Sequence, residues 1–209
     1  MKRLFFIGLV AAAAISARPV GAQPPATYNW TGWYVGVEGG GGWGMAGVRG
    51  IANDARLSGV VGGLQGGDRW QNGNWVYGFE GNFDASHIHG SVNWGGVPYS
   101  GTIDYFGTFE GHAGWLLTPA SLISATGGFA FGGVSAKLVD IDTFKASHVM
   151  NGWTVGAVYE LKFNPSTTFF VSYKYLDLGE KTFVLDDPER VHVRANVVKA
   201  GWNWQFSTR

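Results

Sequence analysis

The feature that most constrains this chain is an alternation of period two in which one parity is aromatic and uncharged. In the segment 75–86 the odd positions are Trp75, Tyr77, Phe79, Gly81, Phe83 and Ala85, and the even ones are Val76, Gly78, Glu80, Asn82, Asp84 and Ser86. Successive side chains of a strand point to opposite faces, so the segment reads as a strand with one aromatic face and one small or polar face. Between 103 and 117, Ile103, Tyr105, Phe109, Ala113 and Trp115 oppose Asp104, Thr108, Glu110 and His112. Further on, Trp153, Val155, Ala157, Tyr159, Leu161 and Phe163 oppose Thr154, Gly156, Val158, Glu160 and Lys162. Near the end, Val198, Ala200, Trp202, Trp204 and Phe206 oppose Lys199, Gly201, Asn203 and Gln205. In all four segments the apolar stripe carries no charge.

This pattern predicts eight strands, at 32–43, 58–70, 75–87, 102–117, 122–138, 150–163, 167–178 and 192–206. The gaps between them alternate long and short: 44–57, 88–101, 139–149 and 179–191 are long, while 71–74, 118–121 and 164–166 are short and rich in turn formers. One end of the sheet therefore has tight turns and the other long loops, the asymmetry of outer-membrane barrels.

The direction of polarity separates a soluble barrel from a membrane one. Eight strands enclose little volume, and an inner stripe holding Trp75, Tyr77, Phe79, Phe83, Trp153, Tyr159, Trp202 and Trp204 would overfill it. The small and polar stripe belongs inside and the aromatic stripe outside, against lipid. Lipid leaves no edge strand satisfied, so the sheet must close. The expected fold is all-β: a closed, eight-stranded, antiparallel up-and-down transmembrane β-barrel. Trp33, Trp70, Trp75, Trp115, Trp153 and Trp204 fall near strand ends, where aromatic girdles would sit at the membrane interfaces.

Composition fits this picture. The chain has 209 residues with 34 Gly, 10 Trp, 8 Tyr, 14 Phe and no Cys, so disulfides and thiolate metal sites are excluded. Residues 1–22 read as a cleaved signal peptide: Lys2 and Arg3, an apolar run from Leu4 to Ile15, then Val20-Gly21-Ala22 before the cut. The apolar run, about 12 residues, is short of the ~20 that span a bilayer as a helix. Removing the leader takes three basic residues and no acid, which leaves 12 basic against 15 acidic residues and a net charge of −3. No basic excess remains to suggest nucleic acid. The mature chain then divides into a short N-terminal segment (23–31), the barrel (32–206) and a tail (207–209).

The chain resembles the small Gram-negative outer-membrane β-barrel proteins of the OmpA-like, opacity-type porin family. The resemblance is carried by Tyr28-Asn29-Trp30-Thr31-Gly32-Trp33-Tyr34-Val35-Gly36, by Asn74-Trp75-Val76-Tyr77-Gly78-Phe79-Glu80-Gly81 and by Gly107-Thr108-Phe109-Glu110-Gly111-His112-Ala113-Gly114-Trp115. It continues through 125–132, 152–157 and Tyr173-Lys174-Tyr175-Leu176-Asp177-Leu178-Gly179. It implies an eight-stranded outer-membrane barrel used for envelope integrity and surface presentation, in contact with lipid and lipopolysaccharide and inserted by the barrel assembly machinery. Trp202, Trp204 and Phe206 resemble the family's C-terminal assembly signal, although Ser207-Thr208-Arg209 follow it. Glu110 and His112 stand where the family tends to place two inward arginines.

The inward parity predicts a lumen network of Glu38, Glu80, Asp84, Asp104, Glu110, His112, Glu160, Lys162, Lys174 and Lys199, with Arg69 joining it. Such charges must pair in a narrow lumen. A plugged structural barrel, with long loops open to extracellular ligands, is therefore the leading reading; a small channel for ions or very small solutes is the alternative. No catalytic site, cofactor or metal is expected. Gly39-Gly40-Gly41-Gly42-Trp43-Gly44 matches GxGxxG but no helix follows it. His87 and His89 read as ordinary surface residues, and Asp186, Asp187 and Glu189 as a solvated loop.

Overall fold

In the computed structural model the residues described are 28–48, 55–94, 97–139, 143–184 and 188–206. The expected leader, 1–22, and the tail, 207–209, lie outside them, as do Asp186, Asp187 and the side chain of Glu189. The strands are β1 (Gly32–Val48), β2 (Ala55–Asn72), β3 (Trp75–Trp94), β4 (Val97–Thr118), β5 (Ser121–Val139), β6 (Thr143–Asn164), β7 (Thr167–Val184) and β8 (Pro188–Gln205). Each pairs antiparallel with the next, and β8 pairs with β1, so the sheet is a closed barrel with no free edge. Tight turns join the strands at one end; in the first of them Gly73 takes the positive φ of +60° that a two-residue hairpin turn demands.

The alternation sets the two faces as expected. Trp75, Tyr77, Phe83, Phe109, Trp153, Tyr159, Trp202 and Trp204 are exposed on the outside, whereas Glu38, Glu80, Asp84, Glu110, Glu160, Lys162, Lys174 and Lys199 are buried inside. Cross-strand aromatic pairs reinforce the outer face: Trp75 and Trp115 are register partners whose rings meet edge to face at 5.0 Å.

Two expectations are corrected. The segments 44–57, 88–101, 139–149 and 179–191 are largely strand, not loop; Trp94 pairs with Val97, and pairing between β5 and β6 runs to Val139 and Thr143. Strands of 17 to 22 residues stand about 50 Å tall at the usual rise and tilt, against an apolar band of ~25 Å. The barrel therefore projects beyond the membrane at the end opposite the tight turns. The second correction concerns Asp104. A register shift between Ile103 and Tyr105 on β4 reverses the parity, so Ile103 points inward and is 1% exposed, while Asp104 is exposed on the outer face and accepts a hydrogen bond from Ser135 Oγ.

Candidate functional site

The interior is built in layers, beginning at the tight-turn end with a residue that precedes β1. Trp30 is fully buried against Val76, Leu116 and Leu122, and its indole N–H donates to Pro119 O at 3.1 Å. Lys162 fastens the same mouth: its ammonium donates to Asn29 O (2.9 Å), Pro165 O (3.1 Å) and Gln205 Oε1 (2.6 Å), and lies 5.0 Å from the Trp30 ring. A short segment outside the strands thus closes one end of the lumen. Its signal in the sequence was the Asn29-Trp30-Thr31 motif, which period-two reading passes over because it belongs to no strand.

Above this cap the charges pair in three groups. Arg69 donates to Glu160 at 2.8 Å, and its guanidinium lies 3.9 Å from the centre of the Tyr34 ring. The Tyr34 hydroxyl in turn donates to Glu80 at 2.6 Å. Lys174 bridges Glu110 (2.7 Å), Glu80 (3.4 Å) and Asn82 (2.8 Å). Lys199 bridges Glu38 (2.6 Å) and Asp84 (2.7 Å), with all three side chains inaccessible to solvent. Asn82 touches both lysines and so links the second group to the third. Among the described residues the lumen network holds four cations, Arg69, Lys162, Lys174 and Lys199, against five carboxylates, Glu38, Glu80, Asp84, Glu110 and Glu160. His112 is buried beside Gly78 on the same inner face, two residues along β4 from Glu110.

Beyond Lys199 the chemistry inverts. The Lys199 ammonium lies 5.6 Å from the Phe106 ring, and from there outward the lumen is filled by an apolar cluster that includes Ile88, Ile103, Met150, Leu178 and Val193. Its centre leaves no room for a water molecule. The sequence-based expectation of a uniformly polar inner face holds only for the half nearer the tight turns. Over the same outer stretch the outside becomes polar: Ser58, His87, His89, Asn196 and Arg194 succeed Val60, Phe83 and Val198 at outward positions.

The outer face carries the remaining predicted residues. Trp33, Trp70, Trp75, Trp115 and Trp204 lie toward the tight-turn end; Trp153 lies toward the opposite side, at the level of Asp177, and Trp43 stands near that level on β1. Trp202, Trp204 and Phe206 all face outward, and the Phe206 N–H donates to Trp33 O at 3.1 Å, extending the closure of β8 on β1 by one bond. Asp68 was not anticipated. It has the outward parity yet is 2% exposed, and its register neighbours Trp33 and Phe79 meet edge to face at 5.8 Å. His87 and His89 share the outer face with rings 5.1 Å apart, and no group of three or more potential metal ligands occurs among the described residues.

Comparison with known proteins gives a consistent result. The sequence model described as "Outer membrane protein beta-barrel domain" matches residues 7–206. The 31 kDa outer-membrane immunogenic protein of Brucella melitensis biotype 1 is 30% identical over 234 aligned positions, which cover 97% of this chain and 95% of that protein. The 22 kDa outer membrane protein of Rhizobium leguminosarum bv. viciae is 31% identical over 158 positions, 76% of this chain and 69% of its own length. Among solved structures, the outer membrane protein OprG from Pseudomonas aeruginosa superposes with a TM-score of 0.55 at 13% identity, covering 87% of this chain and 99% of that one. At that identity the likeness is one of fold.

Proposed function

The chain belongs to the family of outer membrane protein β-barrel domains, and from that premise we propose that it is a non-catalytic structural protein of the cell envelope whose lumen is sealed. One observation carries this reading: two unlike plugs stand in series, a paired charge network below and an apolar core above whose centre has no room for a water molecule. An ion would have to break buried pairs and then cross a dry apolar zone, and either step alone is costly. The outer tryptophans serve as interfacial anchors. Trp202, Trp204 and Phe206 act as the C-terminal signal read by the barrel assembly machinery. The projecting strand ends and their connections form the surface offered to extracellular ligands, with the tight turns in the periplasm.

Purified full-length mature protein in planar bilayers tests the sealed lumen. No unitary conductance is expected; channel openings that vanish on changing Glu110 or Lys174 would replace this reading with that of a small channel. Orientation is tested separately, because a chain without Cys accepts unique labels. Ser147→Cys, exposed on the projecting part, should react with an impermeant maleimide on intact cells, and Ser166→Cys, exposed at a tight turn, only after lysis. The reverse pattern would invert the topology.

A further inference from the structure

Two histidines on the outer face have no part in sealing the barrel. His87 and His89 stand two residues apart on β3, so their side chains share one face, and both are exposed in the stretch where the outside has turned polar. Their ring centres are 5.1 Å apart and the rings are inclined by 35°. Among the described residues neither ring makes a hydrogen bond or an ion pair. The chain's other histidines are placed differently. His112 is buried in the lumen, His148 shares the parity of the inward Met150, and His192 is held by Asp177 at 2.7 Å.

The neighbouring strands leave the pair open. On β2 the register partners of His87 and His89 are Val60 and Ser58, and Arg56 is exposed two residues beyond Ser58. On β4 Asp104 stands at the register irregularity opposite Ser86 and His87, exposed on the same outer face. A carboxylate thus lies on one side of the pair and a guanidinium on the other. What distinguishes the pair is not charge but two adjacent, unengaged imidazoles facing water.

We propose that His87 and His89 form a capture site for a divalent transition metal, Cu²⁺ or Zn²⁺, with two imidazole ligands and water in the remaining positions. The spacing carries the assignment. A metal bound to two ring nitrogens at the usual bond length sets the ring centres ~4.5–5.3 Å apart as the angle at the metal opens from a right angle to tetrahedral. The 5.1 Å separation falls inside that range, so the backbone of β3 already presents the pair at chelating distance. Imidazole nitrogen selects Cu²⁺ and Zn²⁺, whereas Mg²⁺ and Ca²⁺ require oxygen ligands. Water completes the shell because no group of three or more protein ligands occurs among the described residues. Both ligands belong to one strand, so the metal ties no two strands together: it is held at the surface and does not brace the barrel. The pair lies beyond the apolar band and meets water whichever way the barrel is inserted, so the site does not depend on the proposed orientation.

The test uses full-length mature protein without an affinity tag, folded in detergent micelles, with the folding of each variant checked by heat-modifiable gel migration. Zn²⁺ alone is titrated by calorimetry, and Cu²⁺ alone is followed by electron paramagnetic resonance. Each chain should take up one metal ion, and the Cu²⁺ signal should show coupling to two imidazole nitrogens. His87→Asn and His89→Asn, both at exposed positions, should each weaken binding by about tenfold or more, at least what the loss of an outer-shell partner costs a metal site. His192→Asn should leave the affinity unchanged, and excess Mg²⁺ or Ca²⁺ should not displace Zn²⁺. Undiminished binding after His87→Asn and His89→Asn are combined would overturn the proposal. So would loss of binding in His192→Asn, which would move the site to Asp177, and so would one metal ion per two chains, which would make it a bridge between copies.

Discussion

The two halves of β8 obey opposite rules with one unbroken parity. From Val197 toward the projecting end, the inward residues are Val197, Ala195, Val193 and Val191, and the outward ones are Asn196, Arg194, His192 and Arg190. From Val198 toward the tight turn, the inward residues are Lys199, Gly201 and Asn203, and the outward ones are Val198, Ala200, Trp202 and Trp204. The first half is a soluble barrel with a dry core; the second is a membrane barrel with a wet-type lining. The surrounding solvent determines which face must be apolar, and the strand changes its code where it leaves the lipid. On β8 the pleat and the pairing with β1 persist through the change, so the strand itself carries the extension.

The comparison breaks most sharply at the border between the halves. Replacing Lys199 by Met leaves Glu38 and Asp84 buried without their cation, and should destabilise the barrel by about 3–5 kcal/mol, the usual cost of removing one member of a buried pair. Urea unfolding in lipid vesicles, followed by tryptophan emission, would register this as a lower midpoint. Adding Glu38→Gln and Asp84→Asn to Lys199→Met should recover most of the loss; a triple variant as weak as the single one would show that packing, not charge, sets the cost.

In the projecting half the same measurement should report a cavity. Ile88 is fully buried among apolar neighbours, and Ile88→Ala should cost about 2–3 kcal/mol, the lower part of the usual range because an open barrel end can relax around the void. Raised salt should deepen neither loss, since both sites are shielded from solvent. An Ile88→Ala variant as stable as wild type would mean that the outer half is hydrated.

Adjacent glycines extend the contrast between inside and outside. A Cβ on Gly63 would collide with Phe83 O and the backbone of Asp84 on the crowded inner side, whereas one on Gly62 would meet nothing nearer than Glu38 O at 3.6 Å. Gly63→Ala should therefore cost about 1–3 kcal/mol, and Gly62→Ala should stabilise by about 0.5 kcal/mol through the unfolded chain. Equal effects in the same unfolding experiment would contradict the assignment of faces.

What the sequence disclosed follows from these rules. Strand number, closure and the placement of Glu38, Lys174 or Trp202 were legible because lipid imposes one strict polarity pattern over the membrane-spanning half. The outer half escaped because the pattern inverts there: 88–101 read as a loop, and Ile103, expected on the outer face, turns inward beside Ile88. Trp30 escaped for another reason, since it precedes β1 and its place depends on contacts with Val76, Leu116, Leu122 and Pro119 and not on alternation. The pairing of each charge was likewise hidden. Parity assigns Lys174 to the lumen, but only the stagger of β7 against β3 and β4 brings it to Glu80 and Glu110.

The smallest expected effect tests the finest of these distinctions. Asp84 and Asp104 were assigned to the same inner face by alternation, yet Asp84 is fully buried against Lys199 while Asp104 is exposed on the outer face. The difference is one residue of register on β4, where the shift between Ile103 and Tyr105 sends Ile103 inward and Asp104 out. Neutralising a solvated carboxylate that accepts one hydroxyl hydrogen bond should change stability by no more than about 0.5 kcal/mol. Asp104→Asn should thus unfold with the wild type. Were it to cost as much as Lys199→Met, Asp104 would have to face the lumen, the register shift would lie elsewhere, and Ile103 could not belong to the apolar core.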